Sequence, residues 1–119
     1  MLVTLVDDDE AVLESLPDLV KEFGYPVMAF ASAEAFLASG ALDRTGCLIL
    51  DISMPGMDGL DLMHELKRRG KAIPIIFITA SRDEARRAYL LMQGACDCLF
   101  KPFSDNALLA AIKMASGED

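Results

Sequence analysis

The stretch Cys47-Leu48-Ile49-Leu50-Asp51-Ile52-Ser53-Met54-Pro55-Gly56-Met57-Asp58 decides how the rest of the chain is read. Its apolar half, Leu48-Ile49-Leu50, ends in one carboxylate, Asp51, and Pro55-Gly56 punctuates the chain soon after. A short apolar run bounded by turn residues is the pattern of a strand buried on both faces. An acid at the carboxyl end of such a strand lies where open α/β sheets bind their ligands. The strand is expected over 47–51, with Asp58 capping the helix that follows.

Working outward, four more strands of this kind are expected, over 2–6, 26–29, 73–78 and 97–100. The second is weak and belongs at a sheet edge, and Pro74 is tolerated only near the start of the fourth. Between them run helical periodicities. The first carries Val12, Leu13, Leu16, Leu19, Val20 and Phe23, is capped by Asp9 and stops at Gly24. Pro17 inside it removes a backbone hydrogen bond and predicts a kink. Ser32 caps a short helix ending near Ser39-Gly40. Leu62, Met63 and Leu66 form the inner side of the third helix, which Gly70 terminates. A fourth helix is expected over 83–93, and a fifth, capped by Ser104, with Leu108, Leu109, Ile112 and Met114 on its apolar side. Five alternations of strand and helix with short links predict an α/β fold in three layers, a parallel sheet covered on both faces.

Composition bounds the function. At 119 residues the chain is read as one domain over 1–119, with 53% hydrophobic and 25% charged residues, as in ordinary globular proteins. No apolar run approaches the ~20 residues of a membrane span, and no signal peptide is apparent, so no membrane role is expected. Three cysteines, an odd number without metal-ligand spacing, read as reduced thiols in a cytoplasmic protein. A net charge of −8 argues against direct nucleic-acid binding by this domain.

The strand ends carry the chemistry. The first ends in Asp7 and Asp8, the third in Asp51, the fourth in Thr79 and the fifth in Lys101, all on one edge of a parallel sheet. Three converging carboxylates repel one another, and a divalent cation is the natural compensation; an oxygen-only ligand set suits Mg²⁺. Lysine binds phosphate as a point charge, and a threonine hydroxyl donates to a phosphoryl oxygen. The set reads as a metal-assisted phosphoryl site with Asp51 as nucleophile. Asp9, Glu10, Asp58 and Asp61 read as helix-start acids, His64 as an exposed mid-helix residue, and Arg82, Arg86 and Arg87 as a solvated helix face.

Val6-Asp7-Asp8-Asp9-Glu10, Asp51 through Gly59, Ile78-Thr79-Ala80 and Lys101-Pro102-Phe103 together resemble the receiver domains of two-component response regulators, over essentially residues 2–115. The chain looks most similar to receivers that precede helix-turn-helix transcription domains. The resemblance implies a flavodoxin-like (βα)5 sandwich with strand order 2-1-3-4-5. It implies that Asp51 accepts a phosphoryl group from a sensor histidine kinase. Asp8, Asp51 and the Ser53 carbonyl would ligate Mg²⁺, with Asp7 acting through a metal-bound water. Thr79 and Lys101 would hold the phosphoryl oxygens, and the Lys101–Pro102 bond would be cis. Such a chain is a signalling domain, not an enzyme, whose only activities are its own Mg²⁺-dependent phosphorylation and dephosphorylation. Its output would be a fused or separate DNA-binding domain.

One position departs from the family, which usually has Tyr or Phe three residues before the lysine; here that residue is Cys98. The fourth helix adds a second expectation. Tyr89-Leu90-Leu91-Met92 sweep roughly 300° of its surface, more than one inner face buries. Part of it must meet solvent or another chain, and the resemblance points to a homodimer through the fourth-helix, fifth-strand and fifth-helix face. Two other functions compete. A receiver-like interaction module that takes no phosphate would fit Cys98 but not the intact acids, Thr79 and Lys101. A Mg²⁺-dependent aspartyl-phosphate phosphohydrolase would place a second acid where Ser53 stands.

Overall fold

Five short apolar runs become five parallel strands, and the links between them become helices. In the computed structural model, which describes residues 1–117, these are β1 (Leu2–Val6), α1 (Glu10–Glu22), β2 (Val27–Phe30), α2 (Ala33–Leu37), β3 (Thr45–Asp51), α3 (Gly59–Arg68), β4 (Ile75–Thr79), α4 (Glu84–Met92), β5 (Asp97–Phe100) and α5 (Asp105–Ser116). Glu118 and Asp119, included in the single-domain reading, lie outside the described residues. The sheet order is β2-β1-β3-β4-β5, with every pairing parallel. The weak second strand is therefore an edge, as its sequence implied.

Alternation along β3 divides the core in two. Leu48 and Leu50 face α2, α3 and α4, packing with Phe36, Leu62, Met63, Leu66, Leu90 and Phe77. Cys47 and Ile49 face α1 and α5, packing with Leu16, Val20, Leu108, Ala111 and Ile112. β3 and β4 are buried along almost their whole length, the consequence of helices on both sides. No helix among the described residues is long and apolar enough to cross a membrane.

Capping follows the chemistry of the residues before each helix. Asp9, Ser32, Asp58, Asp83 and Ser104 each accept a backbone N–H from the first turn, and Asp58 with Asp61 completes a reciprocal capping box. α1 is unbroken across Pro17, with Leu16 and Val20 buried to either side.

Several boundaries differ from expectation for identifiable reasons. β3 begins two residues early, at Thr45, because the Thr45 hydroxyl bridges the Thr4 hydroxyl and the Ala41 carbonyl, each at 2.7 Å. The same contact anchors a 3-10 turn, Gly40–Asp43, that periodicity did not reveal. β4 begins at Ile75; Pro74 lacks an N–H, yet its carbonyl accepts from Leu48 N at 2.9 Å. Met114 is 55% exposed and does not belong to the inner side of α5, which is Leu108, Ala111, Ile112 and Ala115 at helical spacing. The three thiols are free, and burial pushes that of Cys47 up to about 12.

Candidate functional site

Parallel strands running the same way leave their carboxyl ends on one edge, and there the polar residues converge. Asp7 follows β1 and is wholly buried. Its Oδ1 accepts from Asp9 N at 2.9 Å and its Oδ2 from Lys101 Nζ at 3.0 Å. Asp51 ends β3, nearly buried, with its Oδ1 at 3.8 Å from the same ammonium. Asp8 is exposed at the rim. Carboxylate oxygens of Asp7, Asp8 and Asp51 lie within 4.8 Å of one another. Such a donor set, all hard anionic oxygens on rigid strand ends, fits a hard divalent cation.

The electrostatics report the strain of this gathering. Burial pushes the Asp51 carboxyl up to about 7, and the negative charge of Asp7 pushes the same way. Lys101 and a backbone hydrogen bond from Ser53 oppose that rise without cancelling it. A carboxyl held this far above its ordinary range marks a functional site when its perturbers are specific groups in a cleft.

Thr79 ends β4, nearly buried, and its Oγ1 accepts from Ser81 N at 3.1 Å, which leaves the hydroxyl proton to donate elsewhere. The Lys101–Pro102 peptide is cis, and Lys101 N donates to Thr79 O at 2.7 Å, tying the last two strand ends together. Asp7, Asp8, Asp51 and Lys101 are thus brought into one cluster, with Thr79 on the adjoining strand end. Ser53 sits two residues beyond Asp51 and is exposed.

Two further residues shape this edge and were not singled out as functional by sequence. A Cβ on Gly59 would lie 2.4 Å from the Asp51 carbonyl oxygen and 2.9 Å from Ile52 Cα, so α3 starts against the back of the Asp51 turn. A glycine at the first position of a helix, where most residues have better propensity, was the available signal. Glu34, from α2, accepts Met57 N at 3.1 Å on its Oε2. That contact spans 23 positions and left no local trace in the sequence.

The arginines divide. His64 and Arg86 are exposed as expected. Arg87 is not part of a free face: its Nε donates to Cys98 O at 3.0 Å and its guanidinium pairs with Asp97 at 3.1 Å. Arg82 lies 5.8 Å over the Phe100 ring. Cys98 is 2% exposed within the α3–α4 half of the core. Tyr89 and Met92 are 47% and 84% exposed, so the apolar sweep of α4 does overflow its inner face.

Comparison with known proteins agrees with this geometry. The family model described as the response regulator receiver domain matches residues 3–113. The response regulator protein TodT of Pseudomonas putida is 44% identical over 114 residues, 96% of this chain and 50% of that protein. The transcriptional regulatory protein FixJ of Azorhizobium caulinodans is 42% identical over 116 residues, 97% of this chain and 54% of that one. The chain thus spans about half the length of the curated relatives it matches. Among solved structures, the response regulator StyR superposes with a TM-score of 0.89 at 40% identity, covering 98% of this chain and 59% of that one. FixJ-N superposes at 0.87 with 36% identity, covering 98% and 93%. A match over almost the whole chain, with the acids and the lysine at the strand ends that the fold reserves for ligands, places this chain in the response regulator receiver domain family of two-component signalling.

Proposed function

We infer that Asp51 is the phosphoacceptor of a phosphorylation-controlled switch that works with Mg²⁺. The observation that carries this reading is the meeting of Asp7, Asp8, Asp51 and Lys101 at one strand edge. The donor would be the phosphohistidine of a sensor histidine kinase. An Asp51 carboxylate oxygen forms the new bond to phosphorus as the P–N bond of the phosphohistidine breaks, and the electron pair leaves with the imidazole. Asp8, Asp51 and the Ser53 carbonyl would hold Mg²⁺, with Asp7 reaching it through water; bound there, the ion neutralises the charge that gathers on the phosphoryl oxygens. The chain's own groups do the rest. Thr79 donates its hydroxyl proton to one phosphoryl oxygen, and Lys101 turns from Asp7 toward another. Water later cleaves the aspartyl phosphate within the same site, so these two activities are the domain's own and act on no other substrate.

The test is intact mass after incubation with acetyl phosphate and Mg²⁺. One labile phosphoryl group on the wild type, absent from Asp51→Asn and abolished by EDTA, is the expected result. An adduct that persists in Asp51→Asn would overturn the assignment.

Metal binding should follow pH. Mg²⁺ competes with the proton on Asp51, so affinity is full above about 7 and falls as the carboxyl protonates below it. Calorimetric titration should show binding weakening by roughly tenfold for each pH unit below that point. A flat profile between about pH 5.5 and 8 would mean that Asp51 is not a ligand.

Output is proposed to run through a DNA-binding domain, fused or separate, in a cytoplasmic transcriptional regulator. Supporting this are the transcriptional names of the relatives and their twofold greater length. With Cys98 buried where an aromatic usually moves, the change of state is carried by the α4–β5–α5 face as a homodimer. Replacing Tyr89 and Met92 with alanine should abolish the dimer that beryllofluoride induces, by sedimentation velocity. Unchanged association in that double variant would remove this face from the assembly.

A further inference from the structure

We propose that Glu34 is a positioning residue for the metal-binding loop, a role that rests on the function proposed above. The segment between β3 and α3, residues 52–58, carries Ser53 and must aim its carbonyl at the cation from an exposed turn. Its two ends are fixed by backbone: Ile52 N donates to Ile78 O at 3.2 Å, and Gly59 N donates to Ile52 O at 2.9 Å. Its crest is exposed at Pro55 and Gly56, with Met57 partly buried. Glu34 reaches that crest from a different element. Its Oε2 accepts Met57 N at 3.1 Å, and the same oxygen lies 2.7 Å from where a Cβ on Gly56 would stand. The carboxylate therefore rests on the backbone of Gly56, whose φ of +72° already favours glycine.

The origin of Glu34 makes it a useful fixed point. α2 is only five residues long, but Ala33 and Phe36, on either side of Glu34, are wholly buried, and Ser32 caps it with its hydroxyl on Ala35 N at 3.1 Å. Within the loop Ile52 and Met54 are buried in the core, and a hydrogen bond from a packed helix to the crest beyond them restricts the part that this burial leaves exposed. Groups that orient a ligand without touching the metal are commonly worth about ten- to hundredfold in affinity when bonded to the ligand itself. Glu34 bonds the loop four residues beyond Ser53, so a smaller effect is expected.

The experiment compares Glu34→Ala and Glu34→Gln with the wild type, measuring Mg²⁺ dissociation constants by calorimetry and thermal midpoints with and without Mg²⁺. Alanine should weaken Mg²⁺ binding about threefold to tenfold, below the range for a group bonded directly to a ligand. Its midpoint without metal should stay close to wild type, and the increment that Mg²⁺ adds should shrink. Glutamine keeps an acceptor oxygen for Met57 N and should stay within about twofold of wild type, since the hydrogen bond is what holds the loop. Equal binding by alanine and wild type overturns the role, as does an equal loss in both variants. A drop in midpoint that is the same with and without Mg²⁺ overturns it too, by making Glu34 a stability residue only. A wild type that binds no Mg²⁺ overturns the functional reading, and this role falls with it; wild-type binding with an indifferent Glu34 overturns this role alone.

Discussion

Asp51→Asn should lose all phosphoryl uptake and, in the absence of metal, gain stability at pH 8. The first effect follows from losing the nucleophilic carboxylate, since an amide oxygen forms no acyl phosphate. The second follows from the cost of ionising Asp51 in the folded chain. Its carboxyl stands at about 7 against an ordinary 3.8, so between those values the folded state holds a proton that the unfolded state releases. Stability therefore falls as pH rises through this window, and the full cost is present above it. At about 1.4 kcal/mol for each pH unit of that window, the cost is at most about 4.5 kcal/mol. Asparagine removes that cost together with the weaker attraction to Lys101 at 3.8 Å. Urea denaturation should show the variant more stable by about 2 to 4 kcal/mol at pH 8 and indistinguishable near pH 4. Added Mg²⁺ should stabilise the wild type and leave the variant nearly unmoved. Equal midpoints at pH 8 without metal would contradict the cost that burial, and after it the charge of Asp7, imposes on an ionised Asp51.

Gly59→Ala should destabilise by about 3 kcal/mol or more, at the upper end of what overpacking usually costs. Intrinsic propensity argues the other way, because alanine gains about 1 kcal/mol over glycine in a helix. The new methyl decides the sign. It would stand 2.4 Å from the Asp51 carbonyl oxygen and 2.9 Å from Ile52 Cα, both backbone atoms that cannot swing aside. Relief requires α3 to lift from the end of β3, which breaks the Gly59 N to Ile52 O bond at 2.9 Å and moves the turn that carries Asp51. Phosphoryl uptake should fall with stability. Gly40→Ala serves as the control, since its added carbon meets nothing within 4 Å and its φ is not positive. A Gly59→Ala chain as stable as wild type would show that α3 docks more loosely than the structure has it.

The fold and the convergence of most of the candidate site residues were legible for one reason. Buried parallel strands announce themselves as apolar runs, and the residue that ends each run is placed by the sheet itself. Asp7, Asp51, Thr79 and Lys101 needed no knowledge of the helices to be set on one edge. Sheet order came from the resemblance rather than from periodicity, which is blind to it. Misreadings arose where side chains act across the fold. Thr45 extended β3 through hydroxyl bonds to Thr4 and Ala41, and Arg87 left the solvated face to bind β5; Glu34, which drew no reading at all, reached a loop 23 residues away. Met114 failed by one step of helical phase: Leu108, Ala111, Ile112 and Ala115 share a face from which position 114 is turned away.

The unequal burial of the three thiols makes the chain a recorder of its own opening. Cys47 lies in a strand flanked by β1 and β4 and holds its proton up to about 12, so an alkylating reagent reaches it only after the sheet itself comes apart. Cys96, half-buried just before the edge strand β5, needs only a local fluctuation. Two alkylation rates from one sample would thus separate breathing at the edge of the molecule from global unfolding, with no residue changed.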